Sequence, residues 1–306
     1  MPAHNVGSIL KMIEKNEIMF VDLRFTDIVG QEHHFTIPAR QVSEKLFTEG
    51  RLFDGSSFKG WKLTENSDML LLPDADSAFI DPFLAHPTLV LNCDILEPDT
   101  MDFYHRDPRS LARRAESFLA SSKIADTAYF GPENEFFLFD NVHYSNNPHH
   151  VGYRLESHSS YWESDRSEKS LGHFAQKQGG YTPLPPVDKL QDLRSEISAN
   201  LEKCGIEVEI HHQEVASAGQ SEIGVAFNSL LKKADEVQRL KYIVKNSAQQ
   251  FGKSATFMPK PYFGESGSGM HVHMSLFKGG ENLFSGDQYS GLSTTALYFI
   301  GGIIKH

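Results

Sequence analysis

Cysteine is scarce in this chain: Cys93 and Cys204 are the two among 306 residues. They form neither a C-x-x-C pair nor a disulfide framework, which argues against a disulfide-stapled scaffold and fits a reducing cytoplasm. No run of about 18 apolar residues occurs, so no membrane-spanning helix is expected. The first 17 residues hold a short amphipathic stretch, Ile9, Leu10, Met12 and Ile13, without a signal-peptide core. Positive charge is also in short supply: 29 Lys and Arg stand against 40 Asp and Glu, a formal net charge of −11. A nucleic-acid binder shows a basic face, so this balance speaks against one. The same field repels small anions, and a site for one needs a metal ion or local Lys and Arg. Internal repeats and long low-complexity tracts are missing as well.

What is present is the composition of a globular protein, 40% hydrophobic and 23% charged. The length suits one large domain and one smaller one. Residues 18–25 and 33–37 alternate like strands around a turn at Asp27, Ile28, Val29 and Gly30, a hairpin. A short helix over 41–49 stops at Gly50, and 88–96 (TLVLNCDIL) reads as a buried strand. The first hundred residues thus form a small β-rich domain.

Asp107 and Pro108 are good N-cap and N1 residues. Leu111, Ala115, Phe118 and Leu119 follow at helical spacing as an inward face. The domain boundary is placed just before this helix, giving domains 1–104 and 105–306. Strands are expected at 128–139, 206–214, 222–227 and 270–277. Two helices alternate with them. One spans 188–204, with Leu190, Leu193, Ile197 and Leu201 on one face. The other spans 230–251, with Ala234, Val237, Val244 and Ala248 inward. The stretch 141–186 reads as irregular, and a last helix begins near Ser293. Apolar residues are still arriving at Ile303 and Ile304, so the sequence is expected to be cut inside an element.

Three segments carry chemistry. In FGPENEFFLF (130–139), Glu133 and Glu135 are two apart and share a strand face. Two unpaired carboxylates about 4 Å apart repel by about 4 kcal/mol at an effective dielectric near 20, which a cation relieves. The alternative is a solvated edge strand. In HHQEVASAGQSEI (211–223), a hairpin turning at Ala218 and Gly219 makes Glu214 and Glu222 cross-strand neighbours, again two like charges. The alternative is an exposed acidic hairpin. In GSGMHVHMSLF (267–277), His271 and His273 share a face behind a glycine loop that permits close approach of a ligand. Oxygen-rich ligation with few imidazoles suits Mg²⁺ or Mn²⁺. Two such ions would clamp a transferring phosphoryl group.

The same segments, with RLFDGSSFKGW (51–61), ENSDMLLLPD (65–74) and GGYTPLPPVD (179–188), resemble bacterial type I glutamine synthetases, in order and along essentially the whole chain. The resemblance implies an α+β architecture: a β-grasp-like N-terminal domain, then a catalytic domain built on a curved antiparallel sheet. It implies ATP-dependent ligation of glutamate and ammonia through γ-glutamyl phosphate. Glu135, Glu214 and Glu222 match ligands of a first metal, and Glu133 and His271 ligands of a second. Glu209, Phe227, His273 and Ser275 fall where the family binds ATP. Ser266 and Gly267 fall where it contacts glutamate. Asp54 matches the residue that takes a proton from ammonium, with Asp68 beside it in the same role. Family members form a homo-oligomer of two stacked hexameric rings, whose active sites lie between subunits. The resemblance further implies a longer chain that supplies arginines and a last metal glutamate, so little activity is expected of these 306 residues alone.

Three segments depart from the family pattern. Ser266 stands for Asn, Gln213 for His in a His-His-His-Glu run, and Phe174-Ala175 for Arg-Pro. The Ser266 change keeps a γ-glutamylamine ligase of the same superfamily open, beside a non-catalytic structural relative. A retaining glycosidase, with paired carboxylates, leaves GSGMHVH unexplained.

Overall fold

The computed structural model describes residues 4–163 and 170–306. Contacts divide the chain into two compact units. One comprises Met1–Phe130, Asn228–Asp235 and Met274–His306, the other Gly131–Phe227 and Glu236–His273.

The elements run in chain order as follows. Helix α1 (Val6–Lys15) precedes strands β1 (Phe20–Thr26) and β2 (Glu32–Pro38), helix α2 (Glu44–Glu49), and strands β3 (Arg51–Asp54), β4 (Asp68–Pro73), β5 (Phe79–Ile80) and β6 (Thr88–Leu96). Helix α3 (Pro108–Ser122) leads to β7 (Thr127–Phe139), β8 (Asn141–Asn147) and β9 (His150–Glu156). Then come α4 (Gln191–Lys203), β10 (Val208–Gln213), β11 (Gln220–Val225), β12 (Asn228–Ser229) and α5 (Leu230–Gln250). Strands β13 (Ser254–Thr256), β14 (Met270–Lys278) and β15 (Glu281–Asn282) precede α6 (Thr294–Lys305).

In the first unit the sheet order is β2-β1-β6-β4-β3, with β6 parallel to β1 and antiparallel to β4. All nine residues of β6 are buried, which is why this strand reads as a largely apolar run rather than an alternating one, with Asn92 and Asp94 among its buried polar residues. The β1–β2 turn closes on Asp27, whose Oδ1 accepts from the amides of Val29 and Gln31, while Gly30 takes φ +82°. Ile9 of α1 packs into the same core as Leu23, Met69, Leu91 and Ile95. Phe25, Phe58 and Trp61 add ring contacts, with centroids 5.1 Å apart for Phe25–Phe58 and 5.3 Å for Phe58–Trp61. Each such pair contributes about 0.5–1.5 kcal/mol beyond buried area.

Helix α3 starts as expected. The Asp107 side chain accepts from the amides of Arg109 and Ser110. Its buried face is not the predicted one. Leu111 and Phe118 are exposed, 59% and 73%, and the buried residues are Arg109, Ser110 and Ala112. The helix is anchored by charge. Arg109 bonds Asp94 (2.6 Å), Asp74 (2.6 Å) and Asp235 (2.9 Å), and Arg113 reaches Asp74 and Asp94, both at 2.8 Å.

In the second unit β11 lies between β10 and β7, all antiparallel, and β13 also pairs with β7. Leu190, Leu193, Ile197 and Leu201 of the α4 region are all buried, as their spacing predicts. On α5, Val244 and Ala248 are buried, but Ala234 is exposed and Val237 only half-buried, because the apolar stripe drifts around a helix this long. The stretch expected to be irregular contains the β8–β9 hairpin, paired from Asn141↔Glu156 to Asn147↔His150. Val142 and Tyr144, then Val151, Tyr153 and Leu155, alternate along its strands and the register puts them on one face; residues 164–169 of that stretch lie outside the described residues.

Arg109→Met is expected to lower stability by about 3–5 kcal/mol, because it strips a shared cation from three half-buried or buried carboxylates. Burial alone would raise the Asp74 carboxyl, but the charge and hydrogen bonds of Arg109 overcome this and hold it below 3.8. That contribution is therefore complete above about pH 3.8 and is lost as pH falls through the lower folded value. Denaturation midpoints of both proteins between pH 7 and 3 check this. Equal midpoints at pH 7, or an unchanged acid slope in the variant, would contradict it.

Candidate metal centre

Strand alternation puts Glu133 and Glu135 of β7 on one face, with Asn134 and Phe136 buried on the other. Register then decides what meets them. Glu222 of β11 is the partner of Glu135 on one side and of His212 of β10 on the other. The expected Glu214–Glu222 pairing does not occur; Glu214 instead follows the end of β10, its amide donating to the carbonyl of Gln220 at 2.9 Å. The connection between the strands is a wide turn over 214–219 rather than a tight one at 218–219, and this shifts the register by two.

The two carboxylates still converge. One ligand atom each from His212, Glu214 and Glu222 lie within 4.8 Å of one another. His212 Nδ1 is 3.4 Å from Glu214 Oε1, and its Nε2 is 3.8 Å from Glu222 Oε2. Burial raises the Glu222 carboxyl to about 6; His212 opposes the shift, and the charges of Glu133, Glu214 and Glu135 add to it. Glu133 is met by both histidines of β14, 2.9 Å from His273 Nε2 and 3.4 Å from His271 Nδ1.

A cavity of about 480 Å³ gathers most of these groups: Glu133, Glu209, His212, Glu214, Glu222, Phe227 and His273 all line it. Phe227 and Glu209 are exposed on its wall. Glu135 stands outside the close trio, its Oε2 held by Gln220 Nε2 at 2.5 Å. Gly267 lies tight against Pro259, where a Cβ would meet the Pro259 carbonyl at 2.3 Å. Ser266 precedes it, half-buried, and Ser275 is half-buried on the part of β14 belonging to the first unit. Also in that unit, Asp54 and Asp68 are direct register partners across β3–β4, so their side chains leave the same face. Asp54 accepts from the amide and hydroxyl of Ser56 (2.8 and 2.7 Å) and from the Ser57 hydroxyl (3.1 Å), which holds its carboxyl below the usual range.

Sequence reasoning gave a site role to neither His212 nor Tyr181, which packs on His212 with ring centroids 5.5 Å apart. His212 had a signal: it stands two before Glu214 and therefore projects to the same side of the chain. Tyr181 had none within its own segment. The assembled donors are carboxylates with a minority of imidazoles, a set that suits a hard divalent cation. The Glu222 carboxyl is raised first by burial, and the neighbouring carboxylates of Glu133, Glu214 and Glu135 add to the shift.

The comparisons with known proteins meet this geometry. The family model described as "Glutamine synthetase, catalytic domain" matches residues 105–306, and "Glutamine synthetase, beta-Grasp domain" matches 17–98. The chain belongs to the glutamine synthetase family. It is 56% identical over 300 residues to the glutamine synthetase of Methylococcus capsulatus and 54% to that of Escherichia coli, covering 97% of this chain in both cases. It spans 64% of the length of these curated relatives. A cryo-EM structure of Plasmodium falciparum glutamine synthetase superposes with a TM-score of 0.89 at 27% identity, covering 99% of this chain and 60% of that one. The α+β fold is thus that of the family, a β-grasp unit followed by a curled antiparallel sheet.

Glu214→Ala is expected to weaken Mn²⁺ binding about tenfold or more, since it takes an anionic donor from the trio. Glu222→Gln should raise the melting temperature of the metal-free protein, because it removes a charge that burial and its neighbours disfavour. Calorimetric Mn²⁺ titration and thermal melts read both; an unchanged titration of the Glu214 variant would remove the trio as a metal centre.

Proposed function

We propose that the protein is a glutamine synthetase, joining glutamate and ammonia at the expense of ATP. One observation carries the reading: Glu133, Glu214, Glu222, His212 and His273 line one cavity together with Glu209 and Phe227, in a chain of this family. Glu135, Glu214 and Glu222 serve one Mg²⁺ or Mn²⁺, with His212 beside them; Glu133 and His271 serve a second. Such ions, when bound, neutralise the phosphate oxygens of ATP.

The chain's own residues supply the rest. Phe227 offers an exposed ring to stack the adenine, with Glu209, His273 and Ser275 contacting the nucleotide. Ser266 and Gly267 hold glutamate, whose side-chain carboxylate takes the γ-phosphoryl group as ADP leaves. Ammonia then attacks the acyl carbon of γ-glutamyl phosphate and inorganic phosphate departs. Asp54, kept ionised by its Ser56 and Ser57 hydrogen bonds, attracts ammonium and takes its proton, with Asp68 opposite it. We further propose a division at residues 104 and 105 and a cytoplasmic homo-oligomer of two hexameric rings, in which these aspartates serve a neighbouring copy. No helix among the described residues is long and apolar enough to cross a membrane.

ATP binding is expected to require Mg²⁺ or Mn²⁺ in calorimetry. Phe227→Ala should weaken it about tenfold, since stacking of a base on an aromatic ring contributes about 1–3 kcal/mol, and should leave Mn²⁺ binding unaltered. Metal-independent ATP binding, or none in either condition, would overturn the reading. In a full-length parent enzyme, Asp54→Ala should raise the ammonium concentration needed for half-maximal glutamine formation while ATP affinity stays put. Unchanged ammonium dependence would take Asp54 out of its role.

A further inference from the structure

Gln220 sits at the start of β11, 1% exposed, and spends its whole carboxamide on three partners. Its Nε2 donates to Glu135 Oε2 at 2.5 Å and to the Gly267 carbonyl at 2.9 Å. Its Oε1 accepts from the Ala216 amide at 2.8 Å. The partners fix the amide's orientation: the nitrogen faces two acceptors and the oxygen faces a donor, so a flip would set like against like at all three contacts. The other side of Glu135 is equally confined. Its amide donates to the Gly269 carbonyl at 3.1 Å, and a Cβ on Gly269 would lie 2.8 Å from Glu135 Oε1.

We propose that Gln220 is a positioning residue for the metal centre, aiming the Glu135 carboxylate and tying it to the Gly267 loop. The inference rests on the reading of Glu135 as a metal ligand. A carboxylate with one oxygen occupied by a neutral amide donor presents the other in a fixed direction. An amide, unlike Lys or Arg, does so without bringing a positive charge that would compete with the ion. The bond to Gly267 makes the same residue a mechanical link between a metal ligand and the loop proposed to hold glutamate. Outer partners of this kind typically change metal affinity 10–100-fold when removed.

The test is a double-substitution cycle read by Mn²⁺ calorimetry on the full chain, with metal-free melts to verify folding. Gln220→Met and Glu135→Gln should each weaken Mn²⁺ binding about tenfold or more, and the double variant should bind no more weakly than Glu135→Gln alone. A merely structural role for Gln220 would instead multiply the two losses, and that result overturns the proposal, as does parental Mn²⁺ affinity in Gln220→Met. Parental affinity in Glu135→Gln is a different failure: it removes Glu135 from the metal ligands and the underlying reading with it. Should Gln220→Met not fold, Gln220→Asn carries the same cycle, since its amide is one methylene too short to reach Glu135.

Discussion

Like charges held close together in a partly dehydrated sheet set the terms for the second unit. Glu133, Glu135 and Glu222 are placed by strand alternation and register, Glu214 by the wide turn after β10. Two anions about 4 Å apart repel by about 4 kcal/mol at an effective dielectric near 20. The fold answers with neutral or weakly basic groups: His212 between Glu214 and Glu222, His271 and His273 on Glu133, and the Gln220 amide on Glu135. None of these is a fixed cation. Burial, with the charges of Glu133, Glu214 and Glu135 added to it, keeps the Glu222 carboxyl raised, at about 6.

The first unit solves the same problem in the opposite way. Asp74, Asp94 and Asp235 crowd together too, but Arg109 and Arg113 reach into them, and Asp74 ends below its ordinary value rather than above it. Carboxylates satisfied by guanidinium groups fix a helix in place. The carboxylates of the second unit are met by imidazoles and an amide instead.

Much of this was legible in the sequence where a signal is local. The Asp107-Pro108 cap, the buried run 88–96, the Leu193-Ile197-Leu201 face and the shared faces of Glu133 with Glu135 and His271 with His273 all follow from spacing within one element. Helix α3 forms where its cap and spacing put it, but Leu111 and Phe118 of its apolar stripe stay exposed while Arg109 anchors it through partners 15, 35 and 126 residues away. The β8–β9 hairpin was missed although Val142 and Tyr144 on one strand and Val151, Tyr153 and Leu155 on the other alternate and share a face; that face is largely exposed, so no buried core marks it.

The register of β10 and β11 shows where pattern reading ends and three-dimensional structure begins. Period-2 alternation tells which residues share a face, but only turn length tells which residue lies opposite. A tight turn would set Glu214 against Glu222, two anions in contact. The wide turn over 214–219 moves His212 opposite Glu222 and carries Glu214 beyond the strand end, where its carboxylate approaches from the side. The two-residue shift preserves every inward and outward assignment, because two is the period of the strand. It therefore leaves the core untouched while replacing a repulsive cross-strand pair with a histidine flanked by two carboxylates. Ala216, Ser217, Ala218 and Gly219 make this possible: all four are buried, and Gly219, at φ +88°, sits where a Cβ would meet the Leu138 carbonyl at 2.5 Å. A larger residue there would push the turn off β7, and with it the Gln220 amide that reaches Glu135.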